Sequence, residues 1–446
     1  MALLEQLDDV IRGTMEQWDV PGVSVGILHD GAVEFAGHGI ANVDTGAPVA
    51  PETLFQIGSI SKVFTATLLM TLVDEGRLDI EAPVITYVPE LVLRDPQARE
   101  QITVRHLLTH MAGFYGDRFD AHGEGDDALQ RAVAAFADLP QQTRPGELWT
   151  YCNAGIDLLG RAMENILGMP FERAMSERVL IPMGLEWSTY FAREAIMHSV
   201  AVGHAGRGGE PVQTVSPWPV PRRTNPAGGV ISNVLELLRF AGCHMNDGQL
   251  GGTRIISAKA AQAMRTIQTP ADFGRSWGFG WLMRQVGSTH TVEHGGATNG
   301  FTARLLTVPE RMFAIAVLTN HDDGAAVHGA IVGAALKRFL DLEAPVPVPV
   351  EIDPASLARL QGRFRHGLAD IEFKLEGDGL VMRRTDFEPF RNATDIHPVA
   401  RVLPISATEV MVMDGLFEGA VAEFFWNADG SPRFIRMGGR LGHPVA

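Results

Sequence analysis

The sequence is poor in lysine, in cysteine and in long apolar runs. Lysine occurs only as Lys62, Lys259, Lys337 and Lys374 in 446 residues, and arginine supplies the remaining positive charge. With a net charge of −16 and no long Lys/Arg run, the chain has no basic face for phosphates, which argues against a nucleic-acid binder. The acidic balance reads as solubility. Two cysteines, Cys152 and Cys243, are too few for a disulfide framework and make no metal-site spacing. No stretch approaches the ~20 apolar residues of a membrane span. The N-terminal MALLEQLDDVIRGTMEQWDV is an amphipathic helix with acidic residues and lacks the basic start and apolar core of a secretory signal. The expectation is a cytoplasmic chain with neither a nucleic-acid nor a membrane partner.

What is present is enough for two cores. At 46% hydrophobic, the chain can build a packed interior, and its 446 residues predict one large domain plus a smaller one. GVSVGILHDGAVEFAGHG alternates around Asp30-Gly31 and predicts a hairpin. Short helices are predicted at 104–113 and 129–136, a periodic one over 156–167, and others over 233–245, 257–266 and 325–340. Gly203 to Gly229 has no period and many Gly and Pro, which predicts a long ordered excursion. Strands over 278–286, 291–294, 301–308 and 312–318 should complete the sheet begun by the hairpin. Ala344-Pro-Val-Pro-Val-Pro-Val350 reads as a stiff linker. Beyond it, short alternating segments with Gly and Asp turns predict a small antiparallel barrel or sandwich. The domains expected are 1–343, a linker 344–353, and 354–446.

The stretch Phe55 to Val73, FQIGSISKVFTATLLMTLV, stands apart. Gly58 breaks the chain ahead of Ser59, and from Ser59 onward the pattern is a helix apolar almost all round, which belongs inside a protein. It nevertheless carries Lys62 one turn after Ser59, and an unpartnered buried ammonium costs several kcal/mol. Folding alone gives no reason for this lysine. Desolvated, it could serve as base for the neighbouring hydroxyl, while the start of a helix suits a developing oxyanion. The plain alternative is an N-capping serine with a lysine that snorkels to the surface.

Two further segments point to chemistry. Tyr151-Cys-Asn153 sets a phenol and an amide two residues apart where a loop meets a helix, and the phenol could relay a proton. His294-Gly295-Gly296 ends a predicted strand, where two glycines permit close backbone approach. His106 and His110 share a helical face but lack the glutamate of a metalloprotease motif and read as structural, and Cys152 reads as packing. The acidic loop 123–127 lacks spaced calcium ligands. Trp218, Arg222 and Arg223 are open between pocket lining and plain surface loop.

Together, the Ser-x-x-Lys, Tyr-x-Asn and His-Gly-Gly segments resemble the motif set of serine β-lactamases and penicillin-binding proteins. The flanks resemble it in order: Phe55-Gln-Ile-Gly-Ser-Ile-Ser-Lys62, Leu107-Leu-Thr-His-Met-Ala-Gly113, Pro145-Gly-Glu-Leu-Trp-Thr-Tyr-Cys-Asn153, Pro226-Ala-Gly-Gly229, His294-Gly-Gly296 and Val317-Leu-Thr-Asn320. The chain is most similar to the class C β-lactamase-related serine hydrolases, a branch that includes D-aminopeptidases, DD-peptidases, family VIII esterases and peptide-cyclising thioesterases.

The resemblance implies an α+β fold, with an antiparallel sheet flanked by helices, a helical subdomain and a C-terminal lipocalin-like barrel. It implies Ser59 as nucleophile, Lys62 as its base and Tyr151 as proton relay. Asn153 would orient Lys62 and the substrate amide, the backbone N–H groups of Ser59 and Ala297 would form the oxyanion hole, and His294 would contact the substrate carboxylate or tune Tyr151, with Gly295 and Gly296 beside the substrate. Neither metal nor cofactor is implied. The expected activity is hydrolysis of an ester or amide of a small or D-configured peptide derivative, or of a simple ester, through acyl-Ser59. Acyl transfer by the same intermediate, and a sensor acylated without turnover, are the alternatives. Where class C β-lactamases carry Lys-Thr-Gly this chain has His294-Gly295-Gly296, so efficient β-lactam hydrolysis is not expected.

Overall fold

Asp30 and Gly31 both take positive φ, 49° and 78°, and join Gly22–His29 to Ala32–Asn42 in the hairpin that alternation predicts. This computed structural model describes residues 2–206, 210–377, 379–388 and 393–445. They form two compact units: Met1–Leu148, Cys152–Pro270 and Arg275–Ala344 make one, and Trp149–Tyr151, Ala271–Gly274 and Pro345–Ala446 the other.

The first unit is built on a nine-stranded antiparallel sheet. In spatial order its strands are Thr269–Pro270, Arg275–Trp277, Leu282–Val286, Thr289–Thr298, Phe301–Val308, Phe313–Thr319, Gly22–His29, Ala32–Asn42 and Ala47–Pro48. The late strands and the early hairpin meet where Gly22–His29 pairs with Phe313–Thr319. Because side chains alternate along a strand, Val23, Val25, Ile27, Ile315 and Val317 pack on one face with Ile11, Val327 and Ile331 of the first and last helices of this unit. Ala303, Leu305, Ala314, Ala316 and Leu318 face the other way, into the larger core with Leu237 and Phe240. Ser61–Asp74, the nearly all-apolar helix, lies inside that larger core, buried from Ser61 through Leu72.

Several boundaries differ from the expectation, among them the helix expected over 104–113, which ends at Leu108 because His110 takes φ +58°. The apolar helix starts at Ser61, because Gly58–Ile60 is a tighter 3-10 turn entered through Gly58 at φ +51°. The next long helix runs Asn153–Leu167, starting three residues early, because the Cys152 thiol accepts the Gly155 N–H as its cap. Gly278–Trp281 is a turn between two strands, with Gly280 at φ +83°. The strand expected to end at His294 continues to Thr298, since Gly295 and Gly296 remain in register with Arg304 and Ala303. In the excursion 203–229, residues 207–209 lie outside the described ones. Around them His204–Ala205 pairs with Gln213–Thr214, and Arg222–Thr224 and Asn225–Gly228 are short helical turns.

In the second unit a short helix, Pro354–Arg359, capped by Asp353, precedes an antiparallel barrel. Eight strands close because Ala369–Glu376 and Ala400–Pro404 both pair with Gly379–Glu388, and a ninth, Ala393–Ile396, extends the edge of that last strand. Phe364, Phe373, Leu380, Met382, Val402, Phe424 and Ile435 belong to one buried cluster, so the barrel has a packed interior, as its small strand number allows. Among the described residues no helix is long and apolar enough to cross a membrane.

Candidate active site

From Thr53 to Leu72 every residue is buried except Ser59, which is partly exposed. Two glycines bring the turn that bears it against the sheet. A Cβ on Gly58 would stand 2.5 Å from Ala297 N, and one on Gly296 would stand 1.9 Å from Ile57 O and 2.9 Å from Ser59 N. No side chain fits in either place. Ser61 locks the turn from its other side: its hydroxyl donates to Gly58 O at 2.7 Å and accepts from the Val230 N–H at 2.9 Å.

Lys62 is 0% exposed, which excludes the snorkelling alternative. Its Nζ donates to Ser59 Oγ at 2.9 Å and to Ala227 O at 2.6 Å. Helical spacing puts residues three apart on one side, so the lysine returns along the helix toward the serine. The sequence block Pro226-Ala-Gly-Gly229 thereby acquires a purpose that its residue types do not reveal, since the partner is a backbone carbonyl.

Asn153 opens its helix and is buried, with its amide Nδ2 donating to Asp117 Oδ1 at 2.8 Å. The preceding residue, Cys152, donates its backbone N–H to His110 Nδ1 at 3.2 Å. Burial pushes the Cys152 thiol up to about 12, so it is protonated at neutral pH and remains a packing residue. Tyr151 belongs to the second unit. It is half-buried, its N–H donates to Gly439 O at 2.8 Å, and the Arg440 guanidinium lies 5.1 Å from its ring centroid.

His294 is buried on the strand Thr289–Thr298, with its ring edge-on to Trp277 at 5.5 Å and its Nδ1 against Gly295 O. Burial, aided by the Lys62 charge, pushes the imidazole down to about 3. The ring is neutral at neutral pH and can meet a ligand by hydrogen bonding, not as a cation.

The structure thus brings a buried lysine onto a serine, on a turn pressed against the Gly295-Gly296 strand. Residues 7–336 match the family described as Beta-lactamase. The chain belongs to the beta-lactamase family. Penicillin-binding protein 4 of Amycolatopsis lactamdurans is 32% identical over 354 residues, covering 77% of this chain and 93% of that protein. Among solved structures, SurE superposes with a TM-score of 0.77 at 25% identity, covering 100% of both chains, and has also been solved with D-Leu. The octameric penicillin-binding protein homologue of Pyrococcus abyssi superposes with a TM-score of 0.69 at 25% identity, covering 99% of this chain and 100% of that one. The chain is accordingly a serine hydrolase of the beta-lactamase fold.

As a member of that family it uses several polar residues for architecture. His106 forms a capping box with Thr103, and His110, at φ +58°, supports Cys152. Arg222 binds Glu172, Asp126 and the Glu124 carbonyl, which ties down the acidic loop 123–127. Trp218 donates its ring N–H to Ala201 O at 2.9 Å. Arg223 is fully buried on Asp157. That pair was not foreseen, although an aspartate one turn after Asn153 in an otherwise apolar run is a visible signal. Among the described residues no His, Cys, Asp or Glu cluster could hold a metal ion.

Proposed function

We propose that the chain opens ester or amide bonds by acylating Ser59 and passing the acyl group to water, acting on small or D-configured peptide derivatives and simple esters. The observation that carries this reading is the 2.9 Å hydrogen bond from Lys62 Nζ to Ser59 Oγ, within a stretch whose one accessible side chain is the serine. Ser59 Oγ attacks the carbonyl carbon and its proton passes to Lys62 Nζ. The N–H groups of Ser59 and Ala297 receive the oxyanion, a role supported by the glycine contacts that bring those two backbones together.

Collapse breaks the bond to the leaving group, which takes a proton relayed by Tyr151. Water then attacks the acyl carbon, and Ser59 Oγ regains its proton. The relay is assigned to Tyr151 on the Tyr-x-Asn spacing in a member of this family. Asn153 orients the lysine and the substrate amide, and neutral His294, with Gly295 and Gly296, lines the strand side of the bound substrate. The D-Leu complex of SurE, similar over the whole chain, supports D-configured substrates.

Intact-mass measurement of Ser59 adducts across esters, D- and L-amino-acid amides and β-lactams tests the reading. A transient adduct with D-amino-acid derivatives that is absent in Ser59→Ala supports it, and full activity of Ser59→Ala overturns it. A permanent adduct would mean a sensor, and a macrocycle from a peptidyl thioester would mean acyl transfer. The division 1–343, 344–353 and 354–446 is part of the same proposal, with limited proteolysis of the full chain expected to cut first in the Pro-rich segment.

A further inference from the structure

Arg223 and Asp157 form an ion pair that solvent does not reach: the side chains are 1% and 0% exposed and Nη2 lies 2.7 Å from Oδ2. Two charges withdrawn from water gain little over apolar residues of the same volume, so packing does not account for the pair. Its location offers a reason. Arg223 is the second residue of a seven-residue segment, 222–228, clamped between the Ser61–Asp74 and Asn153–Leu167 helices. Asn225 Nδ2 donates to Glu172 at 2.6 Å, Pro226 O accepts from Thr65 Oγ1 at 2.6 Å, and Ala227 O accepts from Lys62 Nζ at 2.6 Å. On the other side, the missing side chain of Gly160 lets its helix approach so closely that a Cβ there would lie 2.4 Å from Pro226 Cγ. Ala227 thus stands between two charges, its carbonyl on Lys62 and its N–H toward the Asp157 carboxylate.

We infer that Asp157 is a positioning residue for Lys62: paired with Arg223, it holds Ala227 in place and balances the charge beside the lysine. The inference rests on Lys62 acting as the base of Ser59. Three other groups lie near the lysine. His294 is neutral, the Cys152 thiol is protonated, and Asp117 is bonded to Asn153. On elements packed along the same helix, Glu172 is taken by Arg222, and Arg178 by Glu75 and Thr71. Burial pushes the Asp157 carboxyl up to about 6 against the pull of Arg223 and Lys62, so it is charged above that pH. The attraction is mutual, and the Asp157 anion favours the ammonium form of Lys62 while Arg223 opposes it.

The test follows acetylation of Ser59 by p-nitrophenyl acetate, read as intact mass after rapid quenching over a pH series. In Asp157→Asn the guanidinium is left unbalanced, and the acid limb of the profile should move about one pH unit lower. In Arg223→Gln it should move the other way, and in the double variant it should return close to wild type. Asp157→Glu should keep the limb but lower the plateau, because the longer side chain displaces Ala227. If Asp157→Asn does not fold, the direction of the Arg223→Gln shift decides. A limb that stays put in every folded single variant overturns the inference. Lys62→Ala is the separate control: wild-type acetylation there would sink the assignment of the base itself, whatever Asp157 does.

Discussion

Gly296 faces the backbone of Ser59 so closely that a methyl group on it would lie 2.9 Å from Ser59 N and 1.9 Å from Ile57 O. The approach sets the backbone of the serine turn against the strand, where the proposed oxyanion hole lies, so Gly296→Ala should push the two apart. The variant is expected to keep its fold, because the strand remains in register with Ala303, while turnover of p-nitrophenyl esters falls by about 10²–10³, the usual loss of an oxyanion donor. An activity within a few-fold of wild type would show that the approach serves packing alone.

Lys62 is at once the costliest side chain to bury in its helix and the donor to Ser59. Lys62→Met keeps the apolar stem and removes the charge, so the helix should form and thermal stability should hold or rise. Acylation of Ser59 should drop by about three orders of magnitude or more, as happens when one member of a nucleophile–base unit is removed. A fluorophosphonate labelling time course together with a melting curve reads both quantities. Loss of both would return the lysine to a purely structural role.

The contrast that makes Lys62 conspicuous is chemical, one charge in an apolar helix, and it is therefore legible in the sequence. The hairpin at Asp30-Gly31 and the strand Phe301–Val308 are legible for a related reason: a period of two and a turn residue suffice. The acceptor that holds Lys62 is a carbonyl, and every residue has one, so no residue type could single out Ala227. Arg223 and Asp157 are 66 positions apart, and their meeting depends on Gly160 admitting Pro226, a tertiary contact without a periodic signal. The 3-10 turn at Gly58–Ile60 and the continuation of the strand through Gly295-Gly296 were hidden for the same reason: each conformation is fixed by the neighbouring backbone, against local propensity.

Neither cysteine should react in the folded protein. Burial pushes both the Cys152 and Cys243 thiols up to about 12, and both side chains are buried. With iodoacetamide at neutral pH the native enzyme should show no adduct by intact mass and two in denaturant. Esterase activity should survive native treatment unchanged, although Cys152 lies between Tyr151 and Asn153. A native adduct accompanied by loss of activity would reopen Cys152 as a reactive group.

His244 and His294 are buried and His328 is half-buried, and each ring is pushed down to about 3, chiefly by loss of solvation, with a nearby Arg265, Lys62 or Arg304 charge adding to it. In the unfolded chain the same rings accept a proton near 6.5. Between these values the unfolded state binds protons that the folded state refuses, so stability rises with pH across the window and is lost as the medium is acidified from about 6.5 toward 3. Asp157 runs the other way: its folded pKa of about 6 lies above the unfolded 3.8, so acidification over the upper part of that window relieves its burial. Three histidines outweigh one carboxyl, and urea midpoints should fall steadily between pH 6.5 and pH 4. His244→Asn has the clearest signature, because His244 meets Thr67 at 3.0 Å, away from the Ser59–Lys62 pair. That substitution should flatten the pH slope of stability and leave the pH profile of esterase turnover unmoved. An equally steep slope in the variant would mean that other groups drive the acid transition.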